Sequence, residues 1–169
     1  MASFEKIIFY CYPKINKVVS VIDAEFKKQV FSSRFDYSSA YSQCQSLVKL
    51  TNAKIALLKT KRAVDEVLIL LKDLAPFVKY KYFGVRNEET AFIDSTKRSY
   101  YRIQDKIVRK LRNLLDLKGI DEKWFDENLK NLTYIKEIAR RIDIREQYFK
   151  RIQLTKSFEE KTLPIKKIS

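Results

Sequence analysis

The sequence predicts an all-α protein, a helical bundle with one or two helix-turn-helix-like units. Gly occurs twice and Pro three times in 169 residues, too few for a chain of many tight turns, which need φ > 0 or a fixed φ. Apolar residues recur three and four apart over long runs, the period of a helix with one face on a core. No Pro or Gly interrupts residues 36–74. A chain of this length can bury a substantial core as one domain.

Residues 4–11 form a short apolar element, and Pro13 suits the first turn of the helix that follows, where its missing N–H costs little. Val18, Val19, Ile22 and Phe26 make residues 13–31 an amphipathic helix. "SSRFDYSSA", residues 32–40, is a connection. Beyond it, Ala40, Cys44, Leu47, Val48, Ile55, Leu58, Val64, Val67, Leu68 and Leu71 trace a stripe over one long helix, or two broken near Thr51-Asn52. Its heptads are not strict, which weighs against a coiled coil and favours a core or dimer-forming helix.

Pro76 opens a short helix that Gly84 ends, and residues 85–92 can form one more. "IDST" is a turn whose Asp94, Ser95 or Thr96 can cap the next helix. Residues 97–116 are the strongest helix, with Tyr100, Ile103, Ile107, Leu111 and Leu114 on one face and Gly119 as the stop. Asp121 caps a further helix, along which Phe125, Leu129, Leu132, Ile135, Ala139 and Ile142 keep the spacing. "DIRE", residues 143–146, reads as a turn before a last helix, and 155–169 as a loose tail. Residues 1–75 are thus a helical core or dimerisation region and 76–154 a basic helix-turn-helix-like region.

The formal charge of +14 biases partners toward polyanions. Residues 1–75 hold 12 Lys+Arg against 7 Asp+Glu, and residues 76–169 hold 23 against 14. Histidine is absent, which removes the commonest general base and the commonest nitrogen ligand for metals. Two separated glycines cannot make a phosphate-binding loop. Cys11 and Cys44 have no metal-ligand spacing and read as buried thiols of a reducing cytosol. Asp121, Glu122, Asp126 and Glu127 lack the glycine of a calcium loop and suit a helix N-terminus instead. Trp124 reads as a partly buried anchor. No signal peptide or run long enough to span a membrane is visible. We therefore expect a non-enzymatic cytoplasmic protein without cofactor or metal, and without membrane contact.

Two stretches fit a helix-turn-helix, which needs a small residue on its first helix, apolar residues at the turn and apolar anchors on the second helix. In residues 135–152, "IKEIARRIDIREQYFKRI", Ala139 is the small residue and Ile138, Ile142 and Ile144 flank a turn at Asp143. Phe149 and Ile152 are the anchors, and Arg145, Glu146, Gln147, Tyr148, Lys150 and Arg151 point outward. In the earlier stretch Ile93 precedes the turn, Tyr100 and Ile103 anchor, and Lys97, Arg98, Ser99, Tyr101, Arg102 and Lys106 point outward, with Arg109 further along the helix. Eight basic residues against two acidic ones over 97–118 make this the densest local charge. Such side chains suit phosphates and base edges.

"KYFG…STKRSYYRIQDKIVRKLRNLL" resembles the C-terminal part of small Gram-positive and phage transcription regulators related to sigma-factor region 4, over about residues 75–117. Those proteins place "KYF" before a helix-turn-helix whose second helix reads S-K-R-T-Y-Y-R. The resemblance implies binding of double-stranded DNA through that helix, and contact with RNA polymerase. This chain departs from the pattern at "NEETAF" in the first helix, and fifty residues follow where such regulators usually end. The expected function is a DNA-binding transcription regulator, with a homodimer as a further option. The alternatives are an all-α protein-interaction module with solvated basic helices, or an RNA-binding protein using exposed Tyr and Arg.

Overall fold

The computed structural model describes residues 3–31, 37–85 and 97–162. It is all helical, with no strand among the described residues. Helix α1 spans Phe4–Cys11, and a single 3₁₀ turn, Tyr12–Lys14, leads into α2, Ile15–Phe31. Helix α3, Tyr37–Leu71, runs 35 residues without a break at Thr51-Asn52. After a 3₁₀ turn come α4, Ala75–Val78, and a π-helical turn, Lys79–Phe83. Helices α5, Lys97–Leu117, α6, Glu122–Asn128, and α7, Thr133–Thr162, complete the chain. Residues 85–92 and the "IDST" turn, both expected in the first helix-turn-helix, lie outside the described residues beyond Val85.

The short apolar opening turns out to be the centre of the molecule. Phe4, Ile7, Ile8, Phe9 and Cys11 of α1 are buried, and α1 packs on α5, α7 and the π-helical turn. Glu5 is only 3% exposed on the same helix, and its Oε2 has no hydrogen-bond partner among the described residues. One core joins α1, α3, α4, α5, α6 and α7, drawing on Leu57, Val64, Val67, Val78, Leu111, Leu115, Phe125 and Ile135. The change near residue 75 is therefore one of charge, not of packing.

Helix ends follow local chemistry. Gly84, at φ 71, closes the π-helical turn in the left-handed conformation that its lack of a Cβ allows. At the end of α5 the Ile120 N–H donates to the Leu115 carbonyl at 3.0 Å across Gly119, at φ 68, and the Leu115 and Ile120 side chains are buried. Asp121 caps α6, accepting the Trp124 N–H at 2.7 Å.

Several expectations need correction. Cys44, Val48, Ile55 and Leu58 do not line the core; all four are exposed. The buried face of α3 is made of Ala53, Ala56, Leu57, Thr60, Ala63, Val64, Val67 and Leu71. The helices packed most extensively on α3 are α2 and α5, and Ala53, Ala56, Thr60 and Ala63, unlike Val64, Val67 and Leu71, are too small or too polar to stand out in the apolar pattern. Only Cys11 is a buried thiol. The apolar spacing from Phe125 to Ile142 spans two helices, because the chain turns at Leu129–Leu132 with the Lys130 N–H bonded back to the Phe125 carbonyl at 3.0 Å. At "DIRE" the reverse holds: α7 runs through Asp143–Glu146 unbroken. That stretch contains no Gly or Pro, and Arg, Glu, Gln and Lys favour helix. The tail expected to be loose from residue 155 continues α7 to Thr162.

Candidate nucleic-acid interface

Helix α5 has two opposite faces. Ile107, Leu111 and Leu115 are buried, with Leu114 half-buried beside them. Arg102, Lys106 and Arg109 follow at spacings of four and three on the far side, with Lys110 adjacent, and all four are exposed. None of these cations makes an ion pair among the described residues. Arg112 and Lys118 are committed elsewhere: Arg112 bridges Glu122 at 2.7 Å and lies over the Phe4 ring, and Lys118 bridges Glu66 at 2.6 Å. Hydrogen bonding to Lys118 holds the Glu66 carboxyl below its ordinary range. The backbone of Lys97, Arg98, Ser99 and Tyr101 forms the first turns of α5, and their side chains lie outside the described ones.

The "KYF" segment sits at the junction of α1, α5 and α7. Tyr82 packs against Tyr10 with ring centroids 4.9 Å apart and against Phe9 at 5.8 Å; Phe83 stacks on Tyr12 at 4.7 Å. This aromatic cluster ties the chain just before residues 86–96 to α1. Lys81 is largely buried in the same junction. Burial, then the charges of Lys6 and Arg145, push its ammonium down to about 8, against the opposing pull of Asp105 and Glu146. Burial also pushes the Tyr10 hydroxyl up.

The junction brings the two sequence-predicted stretches together. Arg145 of α7 and Asp105 of α5 both lie within electrostatic reach of Lys81, and Glu146 bridges Lys6 of α1 at 2.8 Å. Arg145, Gln147, Tyr148 and Arg151 are exposed on α7. They stand on a continuous helix, however, so residues 135–152 are not a helix-turn-helix. The roles given to its apolar residues change with it: Ile144, expected to flank the turn, is exposed, and of the two expected anchors Phe149 is 52% exposed beneath the Arg145 guanidinium and Ile152 is half-buried. A second helix needs those residues to dock on the first; without a turn there is nothing for them to dock against.

Sequence reasoning missed Lys6 and Lys81. Lys6 sits in the opening apolar element and Lys81 precedes an aromatic pair, so neither shows in a count of basic residues along a helix. No group of His, Cys, Asp and Glu among the described residues could hold a metal ion. No helix searched there is long and apolar enough to cross a membrane. Compared with known proteins, the chain matches no protein-family model, no curated protein and no solved structure.

Proposed function

We propose that the protein is a non-enzymatic DNA-binding transcription regulator that lays the cationic face of α5 on double-stranded DNA. The observation that carries this reading is the exposure of Arg102, Lys106, Arg109 and Lys110, without ion pairs among the described residues, opposite the buried Ile107, Leu111 and Leu115. A packed helix fixes the spacing of these cations, and those without an ion pair among the described residues can turn to phosphates without first breaking one. The likeness of "STKRSYYR" to sigma-region-4 regulators favours the same helix. In that reading Lys97, Arg98, Ser99 and Tyr101, in its first turns, meet base edges, and Arg145 of α7 adds a phosphate contact beside them. RNA polymerase is the second partner that the likeness implies.

One observation favours a different reading. Ile144, Tyr148 and Phe149 leave apolar surface open beside Arg145, as an interface for an acidic protein would. Fluorescence anisotropy on a mixed-sequence duplex separates the two. For DNA binding, log affinity falls against log salt with a slope of about −0.9 per phosphate contact. Replacing Arg102, Lys106 and Arg109 together by Ala should weaken binding to every sequence and flatten that slope by about one unit per lost contact. No binding at low salt would remove DNA as the partner and favour the acidic protein.

A further inference from the structure

Among the described residues, helix α3 is covered on its core side and where it meets α2, and a further side is open. One side is in the core. A second meets α2, where Lys54 bridges Asp23 at 2.6 Å and the Gln43 amide donates to the Gln29 carbonyl. The third consists of Tyr41, Cys44, Val48, Thr51, Ile55 and Leu58, all exposed, with Tyr41 at 71%, Ile55 at 59%, Val48 at 58% and Leu58 at 43%. Once the core-facing residues are set apart, these six alternate strictly at spacings of three and four. That is the seam of a coiled coil, with Tyr41, Val48 and Ile55 at one heptad position and Cys44, Thr51 and Leu58 at the other.

We infer that this stripe pairs with the same stripe of a second copy of the chain, as a short parallel two-stranded coiled coil. The seam has no charge, so a copy meets it without like-charge repulsion, and no pattern of charge on it selects a different partner. β-Branched Val48 and Ile55 at the first position with Leu58 at the second favour two strands. Of the lysines that border the seam, Lys54 is paired with Asp23 and Lys61 with Asp65 at 3.0 Å, while Lys59, turned to the Gly119 carbonyl at 3.0 Å, keeps its charge. A chain of charge +14 repels its copy least along such an edge. The stripe covers 18 residues, a contact of about 27 Å. This pairing holds whether or not α5 meets DNA, and its test involves no DNA.

Sedimentation of the full chain should show a monomer–dimer equilibrium. Val48→Glu with Ile55→Glu places four carboxylates in the paired seam and should weaken self-association by about a hundredfold or more. Both residues are exposed in the single chain, so circular dichroism should remain that of the parent. Leu117→Glu, at an exposed apolar residue on α5, should leave the dimer intact. In parallel register Cys44 faces its copy, so a short bis-maleimide should join two chains, and Cys44→Ser or the double Glu variant should abolish the joined product. A monomer at every attainable concentration overturns the inference. A dimer that survives the double Glu substitution, one broken equally by Leu117→Glu, or one whose Cys44 thiols do not cross-link overturns it as well.

Discussion

Helices α5 and α3 both cross the core, but they show their purpose in the sequence very differently. On α5 the described residues opposite Ile107, Leu111 and Leu115 are Arg and Lys, so the buried face stands out by contrast, with Leu117 an exposed apolar residue at the helix end. On α3 large apolar residues stand outside as well as inside: Ala53, Ala56, Leu57, Ala63, Val64, Val67 and Leu71 are buried, while Tyr41, Val48, Ile55, Leu58, Ile69 and Leu70 face outward. A periodic pattern names a face only when polar residues occupy the rest of the helix. Where they do not, burial depends on which neighbours arrive.

The sharpest way to break this comparison is to truncate both helices. Leu111→Ala should cost about 2–5 kcal/mol, because it removes a fully buried side chain and leaves a cavity. Ile55→Ala, the larger-looking member of the stripe read from sequence, should change the stability of the single chain by less than about 0.5 kcal/mol. Urea unfolding at low protein concentration measures both. Equal losses would mean that the outward face of α3 is buried after all.

The second prediction concerns the junction beneath α5. The Lys81 ammonium sits at about 8, below its ordinary 10.5. Between those values the unfolded chain binds more protons than the folded one, so stability from this residue rises with pH there, and below about 8 the full burden of burying the charge is present. Lys81→Met should therefore be more stable than the parent at pH 7, and its advantage should shrink as pH rises from 8 toward 10. Comparing the two proteins at each pH cancels the shared titration of tyrosines and Cys11. An advantage that stays constant with pH would assign the gain to apolar packing alone.

A smaller effect tests the turn that links α5 to α6. Asp121→Ala removes the acceptor of the Trp124 N–H and should cost about 1 kcal/mol, while Asp121→Asn should recover most of it. Thermal unfolding of the pair reads the difference. Equal losses in both variants would point to the carboxylate charge at the helix terminus instead of the hydrogen bond.

Much of this architecture was legible in the residues alone. Scarce Gly and Pro with three–four spacing require helices, because no other regular structure satisfies backbone groups over such long apolar-striped runs. Gly84 and Gly119 stop helices for want of a Cβ, Asp121 starts one through its own carboxylate, and α5 declares its cationic and apolar faces by contrast. These are local properties, decided within a turn or two of chain. Only the tertiary structure decided the rest. Whether α7 bends at Asp143 was open locally, and the helix continues where Glu146 meets Lys6, 140 residues away. The opening eight residues of α1 became the centre of the core because α5, α7 and the π-helical turn close around them. Which side of α3 is covered follows from the packing of α2 and α5 on it, since side chains of equal hydrophobicity differ in burial only through the partners that distant chain brings.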